Sequence, residues 1–221
     1  MERLILQFWT ALLDFLFPPK CPLCGGEPEG GDAGICGGCW EEIKGNFRGE
    51  VSEMPWGGKL FVLADFDGRV QEVIHLVKYR HRRSLGRALG RWMGEKLGAV
   101  PEFSDLQLIV PVPLHPRRKW ERGYNQSWEI ASGVGEVVGV PVEEALSRSR
   151  NTPSQTGLDV RRREENVRDA FRARMSLGKK KVLLVDDVLT TGATASECAK
   201  VLKEAGAEEI SVAVVARPGL L

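Results

Sequence analysis

The stretch KVLLVDDVLTTGATASECAKVLKEAGA, Lys181 to Ala207, constrains the fold of this chain more than any other segment. A continuous apolar strand over Val182 to Asp186 ends in two adjacent aspartates and a small loop of threonines and glycine. Ala195 to Ala205 then repeats at helical spacing with Cys198, Leu202 and Ala205 inward, and Ile210 to Ala216 reads as a further strand. Together they form a βαβ unit. A strand apolar at every position must be covered on both faces, so the unit predicts an open, mainly parallel sheet flanked by helices, with ligands at the carboxyl ends of its strands.

Upstream, the same alternation recurs. Leu60 to Phe66 and Leu106 to Val112 read as strands, and Val70 to Lys78, Leu85 to Leu97 and Asn125 to Val138 as helices. The turn KYRHRR and the loop HPRRKWERG between them are basic. NFRGEVSEMPWGGK is rich in breakers, which places a boundary near Trp56 to Lys59 and divides the chain into 1–58 and 59–221. SRSRNTPSQTGLDVRRREENVRDAF lacks clean periodicity until its end and reads as an excursion from the sheet.

The first module carries CPLCGGEPEGGDAGICGGCW, two CxxC pairs separated by eleven residues. Each pair can fold as a knuckle presenting two thiolates, and Cys21, Cys24, Cys36 and Cys39 complete a tetrahedral zinc site with no open position for catalysis. Paired disulfides are the competing account, disfavoured in a reducing compartment. Cys198 falls on an apolar helix face and reads as a core residue.

Ahead of the cysteines, MERLILQFWTALLDFLF repeats Ile5, Phe8, Trp9, Leu12, Leu13 and Leu16 at helical spacing and predicts an amphipathic helix. It packs on the rest of the chain in the plainer reading, and docks on a partner or membrane surface in the sharper one. Glu2, Arg3, Gln7 and Asp14 interrupt the run, which argues against a membrane span, and no basic segment or cleavage pattern marks a secretory signal. A cytoplasmic location is the expectation. At 221 residues and 43% hydrophobic, the chain can bury one ordinary core beside a small module, and a net charge of +1 confines any nucleic-acid contact to a local patch.

Two carboxylates side by side repel unless something compensates, and amides of a loop entering a helix attract an anion. Acids beside a phosphate cradle suit a sugar phosphate, whose diol meets the acids. The GxGxxG spacing of a dinucleotide site is absent, and no lysine follows the glycine as in a Walker A loop. VLLVDDVLTTGAT resembles the thirteen-residue phosphoribosyl pyrophosphate (PRPP) motif of type I phosphoribosyltransferases. With VPVPLHPRRKWERGYNQS, RNTPSQTGL, RRREENVRDAF and the double CxxC module, the chain resembles the ComF family, phosphoribosyltransferase-like proteins associated with competence and use of external DNA.

That resemblance implies a type I phosphoribosyltransferase fold behind an N-terminal zinc ribbon. It puts Asp186 and Asp187 on the ribose hydroxyls and Thr190, Thr191, Gly192, Ala193 and Thr194 on the 5-phosphate. Lys78, Arg82, Arg117, Arg118, Lys119 and Arg122 are pyrophosphate-side candidates, with Arg161, Arg162 and Arg163 on a flap around Gln155 to Arg163. Magnesium arrives with PRPP. No residue is assigned a catalytic role, His75, His81 and His115 included, and the acceptor and oligomeric state stay open. The partners implied are PRPP and DNA-uptake or helicase components. The alternative is a PRPP-sensing or single-stranded-DNA-handling adaptor without turnover, favoured by the arginine density from Arg148 to Arg174.

Overall fold

A computed structural model describes residues 20–149 and 167–219. The amphipathic segment within 1–17 and the flap residues Arg161, Arg162 and Arg163 lie outside the described residues. The chain forms two compact units, Met1–Gly45 and Asn46–Leu221. In the small unit a loop carries the first CxxC pair, and helix α1 (Gly37–Gly45) begins inside the second. Ile35, Trp40 and Ile43 are buried, and the Trp40 indole donates to the Asp32 carbonyl at 2.8 Å.

The units divide after Gly45, not at Trp56 to Lys59. Strand β1 (Phe47–Glu53) pairs antiparallel with β2 (Lys59–Asp65), and the breaker-rich residues between them make a tight hairpin turn. The Met54 amide donates to the Gly58 carbonyl at 2.7 Å, and the Trp56 indole reaches the Ile210 carbonyl at 2.8 Å. A Cβ at position 58 would lie 1.9 Å from that same carbonyl oxygen, so only glycine allows the approach. Proline and glycine punctuate a domain from within as readily as they separate domains.

From β2 the chain runs through α2 (Gly68–Tyr79) and α3 (Arg83–Leu97) to β3 (Leu108–Pro111). The basic loop after β3 contains a further short helix, α4 (Pro116–Arg122), opened by the Pro116 ring and stopped by Gly123. Then come α5 (Gln126–Val138), a two-stranded pair of β4 (Leu146–Arg148) and β5 (Phe171–Ala173), β6 (Lys181–Val188), α6 (Ala193–Glu204) and β7 (Glu209–Arg217). The sheet order is β1-β2-β7-β6-β3, parallel except for β1 at the edge.

Alternation along the strands divides the core into two layers. Leu60, Val62, Val110, Val182, Leu184 and Val212 pack with Cys198, Ala199 and Leu202 of α6 and with Phe171 of β5. Residues at the intervening positions, Phe61, Leu63, Ile109, Leu183 and Ala213, are equally buried, and α3 and α5 lie against those strands. Double coverage explains why Val182 to Val185 are all fully buried and why charged residues stand only towards the two ends of the strand.

Candidate functional site

Strand β6 carries Asp186 and Asp187 at its carboxyl end, and the two environments differ. Asp187 is 5% exposed, its Oδ1 accepts from the Val188 amide at 2.9 Å, and its Oδ2 lies 2.7 Å from Nζ of Lys78 in the last turn of α2. Asp186 is half-buried and accepts on Oδ1 from the Ser127 hydroxyl at 2.8 Å and the Asp187 amide at 2.9 Å. Ser127 is fully buried at the start of α5. The cap residue Asn125 holds it there, accepting from the Ser127 amide at 3.1 Å while donating to the Val112 carbonyl at 3.0 Å.

These contacts set the charges. Burial, then the neighbouring Asp187 charge, push Asp186 up to about 7, against the lowering effect of Ser127, the Asp187 amide and Lys78. Burial alone would lower Lys78, but Asp187 and then Asp186 outweigh it and hold the ammonium above its ordinary value.

The loop after β6 reaches α6 through Gly192, whose φ of 80° and ψ of −4° lie in the left-handed region. No side chain caps α6, and the contact from the Ala193 amide to Thr191 Oγ1 is long, at 3.4 Å. A helix start without a cap presents donors and partial positive charge to an anion.

The acidic pair and this loop line one cavity of about 450 Å³. All seven residues Asp186, Asp187, Thr190, Thr191, Gly192, Ala193 and Thr194 border it, as do Lys78, Arg118 and Arg122. Arg117 does not: it pairs with Glu121 along α4 at 3.0 Å. Arg82 is exposed at the start of α3, outside the cavity wall, and Lys119 pairs with Glu144 at 3.0 Å. A second opening of about 800 Å³ shares Leu189 to Ala193 with it and includes Trp56 and Arg217 and neither aspartate.

Two wall residues escaped the sequence reading as site residues. Ser127 was readable only as part of a helix start. Arg148, at the end of β4, is 9% exposed with its guanidinium 5.3 Å from the Phe171 ring centroid. Burial and then the charge of Arg118 pull its pKa below the ordinary arginine value, and Asp186 opposes them. A buried arginine looks the same in sequence as a solvated one, because only the packing of β4 on β5 decides between them.

In the small unit, the sulfurs of Cys21, Cys24, Cys36 and Cys39 all lie within 4.8 Å of one another. That spacing fits four thiolates around one tetrahedral ion. The first knuckle closes by hydrogen bonds from the Cys21 amide to Gly26 at 2.7 Å and from the Gly25 amide to Cys21 at 2.8 Å. Burial alone would raise the Cys21 thiol, but backbone donors at Cys36, Leu23 and Cys24 outweigh it and bring it to about 6, whereas burial and the neighbouring thiols push Cys39 up. Among the described residues no other cluster of three or more such ligands occurs.

Comparison with known proteins agrees with both units. Residues 12–50 match the family model described as a double zinc ribbon domain, and residues 125–219 match the phosphoribosyl transferase domain. Competence protein F of Haemophilus influenzae is 28% identical over 221 residues, covering 90% of this chain and 96% of that one. DNA utilization protein YhgH of Escherichia coli K12 is 32% identical over 196 residues, covering 87% and 81%. A solved structure described as the allosteric regulatory enzyme of purine biosynthesis aligns over 60% of this chain and 26% of its own, at 26% identity and a TM-score of 0.41. The fold therefore rests on the parallel sheet and the matched phosphoribosyl transferase domain: a type I phosphoribosyltransferase fold with an N-terminal zinc-ribbon module.

Proposed function

The chain belongs to the ComF family of competence and DNA-utilization proteins, and from that premise we propose that it binds PRPP as a phosphoribosyltransferase-like protein supporting DNA uptake. The observation that carries the proposal is the meeting of the acidic pair and the uncapped start of α6 in one cavity. The ribose diol would donate at the acidic end of the cavity and the 5-phosphate would accept from the amides and hydroxyls of Thr190 to Thr194. Arg118, Arg122 and Arg148 would face the pyrophosphate end.

Breaking the bond from C1 to pyrophosphate passes through an oxocarbenium-like state, so the residues act by orientation and by stabilising the departing anion. No protein nucleophile is needed. Magnesium, when bound, supplies charge neutralisation on the ligand's own oxygens. Zinc in the cysteine cluster is structural, since all four positions are taken by sulfur. A cytoplasmic location suits that reduced cluster.

Isothermal titration with PRPP tests the site. Wild type should bind, and Asp186→Ala with Asp187→Ala should abolish binding while leaving zinc content unchanged. Retained affinity in that double variant would sink the assignment. Pyrophosphate release, assayed over a panel of acceptors, then separates turnover from binding alone.

One surface favours the non-catalytic reading, a single-stranded-DNA-handling adaptor. Trp120 on α4 is 83% exposed within the run Arg117, Arg118, Lys119 and Arg122, and Tyr79 is 57% exposed with Arg122 5.3 Å from its ring centroid. Aromatic faces among cations stack bases, each for about 1–3 kcal/mol. An oligonucleotide titration insensitive to salt, or one that Trp120→Ala leaves unchanged, would exclude it.

A further inference from the structure

We infer that the two aspartates have unequal jobs: Asp186 is the carboxylate that meets the sugar, whereas Asp187 anchors Lys78 as a resident cation, so the acidic pair recruits no divalent metal. The sugar part of this inference rests on the PRPP-site reading; the cation part stands on the geometry alone.

Asp187 has little left to offer a ligand. Its Oδ1 takes the Val188 amide at 2.9 Å, and its side chain is 8% exposed. Its Oδ2 is buried and makes no hydrogen bond of regular geometry, but Nζ of Lys78 lies 2.7 Å away as its ion-pair partner. The lysine side chain is itself only 24% exposed and enters from α2, an element distant in sequence. A half-buried ammonium and a buried carboxylate each make the other tolerable, and removing the lysine leaves an uncompensated buried charge.

Asp186 differs in each respect. Both line the cavity, but Asp186 is less buried than Asp187, and the chain's own hydrogen bonds from Ser127 and the Asp187 amide both fall on Oδ1. Oδ2 is the oxygen this arrangement leaves to a ribose hydroxyl. The Ser127 bond fixes the carboxylate's rotation, which makes Ser127 a positioning residue.

With Lys78 in place the pair carries at most one net negative charge rather than two. Protein-held magnesium keeps octahedral geometry through one or two carboxylates together with waters and a ligand's phosphates, and here a single carboxylate oxygen remains for it. The mutual repulsion of the aspartates is already relieved by the lysine. Magnesium that accompanies a pyrophosphate would then be a property of the ligand, not of the protein.

Titration of the full chain decides this, first with magnesium chloride alone. Wild type should show no magnesium binding at the acidic pair, whereas Lys78→Met, which restores two uncompensated carboxylates, should gain one site. Magnesium binding by wild type that Asp186→Asn abolishes would overturn the inference.

The second titrant is ribose 5-phosphate, which has the diol and phosphate but lacks the strongly chelating pyrophosphate. Wild type should bind it equally in EDTA and in magnesium. Lys78→Met and Asp187→Asn should each weaken binding about tenfold or more, and the double variant, which removes both charges together, should recover most of the loss. Asp186→Asn should not be rescued by any change at position 78. A double variant as weak as Asp186→Asn would mean that Asp187 touches the sugar itself. Failure of wild type to bind ribose 5-phosphate would refute Asp186 as a sugar ligand and the PRPP site with it, while the magnesium titration still judges the resident cation.

Discussion

The two sites of this protein are assembled in opposite ways. Cys21, Cys24, Cys36 and Cys39 lie within nineteen residues, and the thiol cluster they form is complete within one short segment. The acidic cavity instead draws Lys78 from α2, Ser127 from α5, Arg148 from β4, and Asp186 and Gly192 from the β6–α6 unit. A local site depends on its ion to fold; a dispersed site depends on the sheet to exist. Stability and ligand affinity should therefore respond to different perturbations in the two regions.

The largest effect should come from removing the metal. Zinc bound by four cysteines contributes about 10–16 kcal/mol to small metal-dependent folds, so chelation or Cys39→Ser should unfold the module. Limited proteolysis would then cut within residues 20–45 while the described residues 46–149 and 167–219 stay protected, and metal analysis should fall to zero. Loss of protection across both units would break the contrast.

Next in size is the loop. Gly192→Val puts a β-branched residue at φ 80°, which costs about 1–2 kcal/mol or more. The phosphate affinity should fall with it, as read by titration with ribose 5-phosphate, while zinc content stays unchanged. Unaltered affinity would separate the loop from phosphate binding.

A separate effect, read against pH rather than as a single loss, should appear in the stability of the larger unit. Asp186 holds its proton up to about 7 in the folded protein and only to the ordinary carboxylate range when unfolded. Between those values the native state binds the extra proton, so this group makes stability fall as pH rises, and the whole cost is present above about 7. Asp186→Asn should raise the urea midpoint relative to wild type at pH 8, with the gain shrinking as the pH is lowered towards 4. A gain independent of pH would mean that the carboxyl does not titrate in this window.

Smallest of all, Trp120→Ala on the exposed face of α4 should change stability by less than about 0.5 kcal/mol. A larger drop in the melting curve would show that this face packs against something.

Much of the architecture is legible in the sequence because its signals are periodic. The apolar run Val182 to Val185 announces a strand covered on both faces, and the αβ alternation from Leu60 onward gives the helices and strands that form the doubly covered sheet. Where reading failed, the signal was ambiguous in kind. Pro55, Gly57 and Gly58 are the same residues in a hairpin as in a linker, and PRRKWER is as polar as a loop because α4 buries none of its side chains.

The site divides along the same line. Two acids followed by a threonine and glycine loop, and two CxxC pairs at short spacing, are chemistry written in consecutive residues, and sequence alone determined both. Only the tertiary structure decided that Asp187 meets Lys78, that Ser127 holds Asp186, that Arg148 is buried in the wall and that Arg117 turns away to Glu121. The reason is physical: a charge's role depends on its dielectric surroundings and on the nearest opposite charge, and the fold supplies both from segments far apart in the chain.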